Sequence, residues 1–374
     1  METLSDILDA SAAKFAGKDA LIIKPGFRTL TWTYRDLADI VPRVARLFAE
    51  SGIGAGDRVI MLGVNRPEYG IAMLALLRIG AVLVPLDVNS TEEFVRKIAE
   101  RTQAKAAVVS QQTRARAAAL AIPLFDMELL PDQARAKEPM PKSSVGPDDL
   151  AEIVFTSGTT GDPKGSMLTH RNILSNALAA IHIFPLGPQQ RLLSFIPLSH
   201  MFEQLAGFWC LLIAGASIVY PTSRQPSVVR RTFRERRVSM ICITPAAVRS
   251  LFIAIERRAE QEGKGALFAR LRGIARRLPM PLRRILFTSV HTQFGGRFRY
   301  IVSGGAALDP ALGVAWRELG VEVLQGYGLT ETSPGLTFNR LDRNRFGSVG
   351  VPLPGVEVKI AADGEVIARG PNIF

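Results

Sequence analysis

Cysteine is nearly missing from this chain: 374 residues hold two, Cys210 and Cys242. Both sit in apolar runs and neither belongs to a CxxC pair, which excludes a disulfide framework and a dithiol redox centre. They read as small buried core residues in a reducing compartment. Histidine is almost as scarce, at four. His170, His182, His200 and His291 show neither HExxH nor Cys/His spacing, so no zinc motif is recognisable. Aromatic residues make up 7% of the chain and do not interleave with the arginines, which argues against nucleic acid as a partner. The N-terminus, Met1-Glu2-Thr3-Leu4-Ser5-Asp6, is acidic and lacks the basic start and apolar run of a secretion signal. The longest charge-free apolar stretch runs from Gln204 to Tyr220, contains Gly207 and Gly215, and stops at Pro221. It is short for a membrane span and reads as a buried helix–strand pair.

What is present is apolar mass and localised charge. Hydrophobic residues are 47% of the chain, enough for a large core and for two sub-domains. Net charge is +12, and its position is more informative than its size. Between Arg230 and Arg299 stand sixteen Arg and one Lys against four Glu, a net of +13, so the remainder is close to neutral. A basic block inside a neutral protein implies an anionic partner for that block.

Along the chain, helix and strand alternate. Thr33 reads as the N-cap of a helix reaching Glu50. Arg58 to Gly63 reads as a strand, Pro67 to Gly80 as a helix in the Pro-first, Gly-last order, and Ala81 to Leu86 as the next buried strand. Continuous apolar strands separated by helices predict a parallel sheet covered on both faces. From Ser110 to Asp149 the pattern weakens into Ala/Arg/Pro-rich connection with one short strand. Alternation resumes at Ala151 and continues to Gln325. Beyond it, Val356 to Ile360 and Glu365 to Ala368 alternate at period two around Asp363-Gly364, a hairpin signal.

Three motifs carry chemistry. The first is Thr156-Ser157-Gly158-Thr159-Thr160-Gly161-Asp162-Pro163-Lys164-Gly165, after the apolar strand Ile153-Val154-Phe155 and before a helix that Thr169 can cap. Glycines let backbone N–H groups converge on an anion, hydroxyls add donors, and Lys164 adds charge, so this is a polyphosphate loop. It is not a Walker A loop: counting from Gly158 places Pro163 where the second Gly is required and Gly165 where Ser or Thr is required. The second is Ser303-Gly304-Gly305-Ala306-Ala307, leading into a helix with Asp309 as N-cap, Pro310 at N1 and Gly320 past its end. Its small residues would let a flat group lie against the backbone; alone, a Gly-Gly turn before a helix is ordinary. The third is Gln325-Gly326-Tyr327-Gly328-Leu329-Thr330-Glu331. Tyr327 can present a ring for base stacking, Thr330 a phosphate donor, and Glu331 a hard oxygen ligand for Mg²⁺. The plain alternative is a tight turn into a helix with Glu331 as a first-turn acid.

TSGTTGDPKG, SGGAAL and QGYGLTE, in this order and at these separations, resemble the superfamily of acyl-CoA synthetases, non-ribosomal peptide synthetase adenylation domains and firefly-type luciferases. The resemblance covers essentially the whole chain. Pro197-Leu198-Ser199-His200-Met201-Phe202-Glu203, the QGYGLTETSP wording and the long basic insertion are most similar to bacterial long-chain fatty acid–CoA ligases. It implies an α/β fold of two mainly parallel β-sheets wrapped by helices, in a large domain over 1–344 with sub-domains of roughly 1–150 and 151–344. A small β-rich, barrel-like sub-domain would begin at 345 and be incomplete at 374. The family's Thr-Gly-Asp motif, hinge and C-terminal catalytic domain would lie beyond Phe374, so the resemblance implies a truncated portion, inactive by itself.

The activity implied is ATP-dependent conversion of a long-chain fatty acid to acyl-AMP, with release of pyrophosphate, then transfer to coenzyme A. Carried over by position, Thr156, Ser157, Gly158, Thr159, Thr160, Gly161 and Lys164 would hold the β- and γ-phosphates. Gly304, Gly305, Ala306, Ala307 and Gly326, Tyr327, Gly328 would flank the adenine. Thr330 would contact the α-phosphate, Glu331 would hold Mg²⁺, and His200 would stand near the substrate carboxylate. Read without the family, His200 is a satisfied structural histidine. The alternatives are a fatty-acyl-AMP ligase or adenylation module that loads a carrier protein, and a nucleotide-binding module without catalysis.

The basic insertion has its own reading. On a helical wheel Leu267, Leu271, Ile274 and Leu278 form a stripe, with Arg272 and Arg276 opposite and Arg270 and Arg277 on a flank. A second helix after Pro279-Met280-Pro281 would carry Ile285, Leu286 and Val290 beside Arg283 and Arg284. A basic amphipathic segment over 265–290 fits peripheral contact with an anionic membrane, which would place a cytoplasmic protein at the membrane's inner face. The competing reading is a helix packed on its own protein with a solvated Arg face.

Overall fold

A computed structural model describes residues 1–156, 163–184 and 186–374. It is α/β, with two mainly parallel sheets and one small hairpin. The six-stranded sheet runs Leu124–Asp126, Ala106–Val109, Arg58–Leu62, Val82–Leu86, Leu150–Thr156, Lys164–Thr169. All its neighbouring pairs are parallel except the last. The nine-stranded sheet has a parallel centre, Glu322–Tyr327, Tyr300–Ser303, Met240–Ile243, Arg191–Leu193, Ser217–Tyr220 and Asp19–Ile23. Leu30–Thr33 closes one edge antiparallel, and Thr337–Phe338 followed by Val351–Pro352 closes the other. Sheet membership is thus interleaved along the chain. Glu357–Ile360 and Val366–Arg369 pair antiparallel as the separate hairpin.

The strands are apolar on both faces because each serves two cores. In the nine-stranded sheet Met240, Cys242, Val302 and Leu324 enter the core between the sheets, while Ile241, Ile243, Ile301 and Val323 enter a second core under the outer helices. The six-stranded sheet divides likewise, Val59 and Met61 inward, Ile60 and Leu62 outward. This is the period-two rule applied to a sheet buried on both sides. Helix Pro67–Arg78 is buried from Pro67 through Leu77, so it lies inside the molecule rather than on it. There Gly70 is required by space: a Cβ would stand 2.7 Å from the Phe208 ring. Helix Tyr34–Glu50 starts at the Thr33 N-cap that the sequence predicts, and the structure adds Asp36 to make a capping box.

Two local expectations are corrected. The phosphate-loop sequence does not pass directly into a helix. The chain first forms the strand Lys164–Thr169, paired antiparallel with Leu150–Thr156, and only then does Thr169 cap the helix His170–Ile183. Ser166 and Leu168 point inward and Met167 outward, a period-two pattern that the loop-like Lys-Gly-Ser start conceals. Gly165 serves this strand, since a Cβ there would meet Ile153 at 2.9 Å and Phe155 at 3.0 Å.

The second correction concerns the basic insertion. Arg272, placed by the wheel on the face opposite the apolar stripe, turns toward the protein. It donates to buried Glu318 at 2.8 Å and lies 5.0 Å above the Phe252 ring. Arg276 donates to the other Glu318 oxygen at 2.6 Å. Leu271 packs on the outer core, but Leu267 and Ile274 remain exposed. Val290 belongs to a separate helix, Thr288–Gln293, and is buried. No helix among the described residues is long and apolar enough to cross a membrane.

Candidate functional site

The site forms where the parallel strands of the nine-stranded sheet end. Tyr300–Ser303 runs out into Gly304–Ala307, and the neighbouring strand Glu322–Tyr327 into Gly328–Thr330. Buried Gln325 ties the two together by donating from Nε2 to the Ala306 carbonyl at 3.2 Å. The glycines are there for space. A Cβ on Gly328 would lie 1.7 Å from the Pro334 carbonyl oxygen, and one on Gly326 would lie 3.0 Å from the Phe338 ring. Gly304, Gly305, Gly326, Tyr327, Gly328 and Thr330 form one wall of a cavity of about 230 Å³. Its other wall is apolar: Phe184, Leu205, Ala206, Cys210, Met240 and Phe338 line it toward the core between the sheets.

The turn Thr330–Thr332 is held from several sides. Thr332 Oγ1 accepts from Leu329 N at 3.0 Å and donates to the Pro334 carbonyl at 2.8 Å. Buried Asn176 and Asn372 each donate to the carbonyls of Thr332 and Gly335. Asn172 in turn donates to the carbonyls of Pro371 and Ile373, and Phe374 N donates to the Glu331 carbonyl. The strand that starts at Lys164 packs beside this turn. Lys164 is exposed and Glu331 half-buried, and neither side chain has an ion-pair partner among the described residues. A lysine and a carboxylate on adjoining elements are the groups that a polyphosphate and its Mg²⁺ would require, a hard oxygen ligand suiting that cation.

Loops from the other sheet brace a residue of this cavity. His200 lines it and sits 3.3 Å from the Asp87 carboxylate, at the end of strand Val82–Leu86. Asn65 follows strand Arg58–Leu62; its amide donates to Ser194 Oγ at 2.8 Å and to the Ile196 carbonyl at 2.6 Å, and accepts from Leu198 N at 2.8 Å. His200 is thus carried on a loop that both sheets fix. Beneath it runs a π-helical stretch, Glu203–Trp209, an irregularity that gathers at functional sites. Glu203 accepts from Ser194 Oγ at 2.6 Å, and Gln204 donates to Glu152 at 2.5 Å. Burial pushes the carboxyls of Glu203 and Glu152 up to about 8. Gly207 leaves the room, since a Cβ there would stand 2.8 Å from the Glu203 carboxyl.

Of the residues singled out in the sequence, the structure gathers Gly304, Gly305, Gly326, Tyr327, Gly328, Thr330 and His200 around one cavity, with Lys164 and Glu331 on adjoining elements. Ala306 and Ala307 are exposed and are not part of the lining. Ser157, Gly158, Thr159, Thr160 and Gly161 lie outside the described residues, as does the side chain of Thr156. Sequence reasoning missed Asn65, Asp87, Asn176 and Asn372. The first two had a usable signal: polar residues just past buried parallel strands sit where open α/β sheets bind ligands. The two asparagines had none, because their carbonyl partners are at least 156 residues away for Asn176 and are set by packing alone.

The model of the AMP-binding enzyme family matches residues 8–374. A long-chain-fatty-acid–CoA ligase, FadD15 of Mycobacterium bovis, is 29% identical over 86% of this chain and 60% of its own length. A feruloyl-CoA synthase of an Amycolatopsis species is 28% identical over 91% of this chain and 65% of its own length. Human long-chain-fatty-acid–CoA ligase 1 is 26% identical over 91% and 57%. The chain therefore spans roughly three-fifths of these relatives. Among solved structures, the N-terminal domain of FACL13 from Mycobacterium tuberculosis superposes with a TM-score of 0.80 at 22% identity, over 100% of this chain and 90% of that one. The N-terminal subdomain of NpsA from Klebsiella oxytoca, in complex with 3-hydroxyanthranilyl-AMSN, superposes at 0.76 and 22%, over 100% and 88%. With the family match running over nearly its whole length, the chain belongs to the AMP-binding enzymes.

Proposed function

We propose that this chain is the ATP- and acid-binding part of a ligase that activates a long-chain fatty acid to its acyl-adenylate and passes the acyl group to coenzyme A. One observation carries the reading. The glycine-rich wall of the site and an apolar wall that includes Cys210 and Met240 bound the same cavity, so a nucleotide and an apolar tail would meet there.

The reaction joins two anions, a carboxylate and the α-phosphate of ATP, so the residues' work is positioning and charge neutralisation. In this reading Gly304, Gly305 and Tyr327 flank the adenine and Thr330 donates to the α-phosphate. Lys164, with the loop from Thr156 to Gly161, holds the β- and γ-phosphates. Glu331 would hold Mg²⁺, which supplies positive charge to the departing pyrophosphate. His200, held by Asp87, orients the incoming carboxylate. The acid's tail takes the apolar wall that Phe184, Leu205, Ala206, Cys210, Met240 and Phe338 form. Coenzyme A then takes the acyl group through its thiol.

The test, made on the full-length protein that contains this chain, is pyrophosphate release that requires both ATP and an acid. Release with palmitate, and little with acetate, supports the reading; release independent of any acid contradicts it. The feruloyl-CoA synthase relative favours a second reading, a compact aromatic acid in the same cavity, and ferulate in the same assay distinguishes the two. The same reading places the protein on the cytoplasmic side of a membrane, in peripheral contact with anionic lipid through 265–290.

A further inference from the structure

On the outer side of the nine-stranded sheet, away from the acid site, lies a groove of about 760 Å³ between helices Pro226–Arg236, Pro245–Gln261, Gly265–Ala275 and Thr288–Gln293. Five cationic side chains line it, Arg230, Arg231, Arg234, Arg258 and Lys264, against one carboxylate, Glu262. Glu262 is already engaged, by Arg258 at 2.9 Å and Lys264 at 3.0 Å. Arg230, Arg231 and Arg234 are exposed and form no side-chain hydrogen bond or ion pair among the described residues. Arg234 stands four residues from Arg230 and three from Arg231, a spacing at which like charges repel, and the nearby Glu235 is engaged by Lys24 at 3.0 Å. The floor beneath them is apolar, formed by Phe268, Leu271, Phe287 and Val290.

Beside this groove the surface is apolar as well as basic. Leu267 and Ile274, seven residues apart on one helix, are 51% and 46% exposed. On the adjoining helix Met280–Leu286, Leu282 and Ile285 are 46% and 68% exposed. A soluble phosphate would neutralise the arginines but would leave these side chains in water. A layer of acidic headgroups over acyl chains satisfies both.

We propose that this groove is where the protein seats on an anionic lipid bilayer, with Arg230, Arg231 and Arg234 receiving headgroup phosphates and Leu267, Ile274, Leu282 and Ile285 entering the interface. This rests on the reading of membrane contact given above and changes its residues. The cations are supplied chiefly by helix Pro226–Arg236, outside 265–290, while Arg272 and Arg276 hold Glu318. Docking by this face leaves the acid site, on the inner side of the sheet, uncovered.

The experiment is co-sedimentation of the chain with vesicles of phosphatidylcholine alone and of phosphatidylcholine with phosphatidylglycerol, without ATP or acid. The chain should pellet with the anionic vesicles and be released by salt. Arg230→Gln/Arg231→Gln/Arg234→Gln should lower partitioning onto them by about a hundredfold, roughly a factor of five per arginine. Leu267→Gln/Ile274→Gln should lower it too, and carries the test if the arginine variant does not fold. Equal pelleting with neutral vesicles, or arginine variants that pellet like the wild type, would overturn the proposal. So would retention on heparin through these arginines without any vesicle binding, which would assign the groove to a soluble polyanion. Because the readout needs no nucleotide, its failure leaves the acid-activation reading standing, and loss of pyrophosphate release leaves this one standing.

Discussion

Gly328 has no space for even one carbon, and that makes it the sharpest residue in the site. Its would-be Cβ overlaps the Pro334 carbonyl, so Gly328→Ala must displace the backbone that presents Thr330. Gly304 is a softer constraint, with the nearest atom 3.5 Å from its Cβ. We expect Gly328→Ala to weaken binding of Mg-ATP at least about tenfold by calorimetry, through lost positioning of donors. An unchanged affinity would remove this loop from the nucleotide wall. Lys164→Ala and Glu331→Ala remove charge without moving the backbone. In the full-length protein each should lower acid-dependent pyrophosphate release by about tenfold or more, and wild-type release from both would end their assignment. These roles were legible in the sequence because they depend on residue type and short spacing. Asp87 and Asn65 were less so, since their work on the His200 loop depends on which strands lie side by side.

At the scale of elements, the turn Thr330–Thr332 is held by two asparagines on separate segments. Asn176 comes from helix His170–Ile183 and Asn372 from the stretch after the hairpin, and both bond the same two carbonyls. Each backs up the other, so Asn176→Ala and Asn372→Ala should each cost about 1 kcal/mol. The double variant should cost more than their sum, because only then do both carbonyls lose every side-chain donor. Urea unfolding of the four proteins checks this, and strict additivity would argue against a shared clamp. Most elements could be read from caps and period: Thr33, Thr169 and Asp309 cap helices as expected. The strand Lys164–Thr169 could not, because it alternates for only six residues and opens with loop-like residues. The facing of helix Gly265–Ala275 was lost for another reason. A wheel assigns charge to solvent, whereas buried Glu318 draws Arg272 inward.

Across the whole molecule, two buried carboxyls and two buried imidazoles tie stability to pH through desolvation. Desolvation pushes Glu152 and Glu203 up to about 8, so in the folded protein they keep their protons well above the usual carboxylate range. Their contribution to stability is whole below the unfolded value of about 4.5 and is lost as pH rises through 8. Desolvation pushes His170 and His291 down to about 4, so their contribution is present above about 6.5 and is lost as pH falls through 4. Between these limits the two pairs oppose. From pH 6.5 to 8 the carboxyls dominate among the four, and stability should fall by up to about 1.4 kcal/mol per pH unit for each. Glu203→Gln should flatten that decline in a series of thermal unfolding curves. A wild-type midpoint that rises across this range would show the carboxyls to be ionised in the fold.

The central claim is that one cavity holds an adenylate and an apolar acyl chain together. Calorimetric titration of this chain with palmitoyl sulfamoyl adenosine, a non-hydrolysable acyl-adenylate mimic, tests it most directly. The account predicts saturable binding that excess ATP displaces, that is weaker for the acetyl compound, and that Gly328→Ala diminishes. No binding of the palmitoyl compound, or equal binding of the acetyl one, would contradict it.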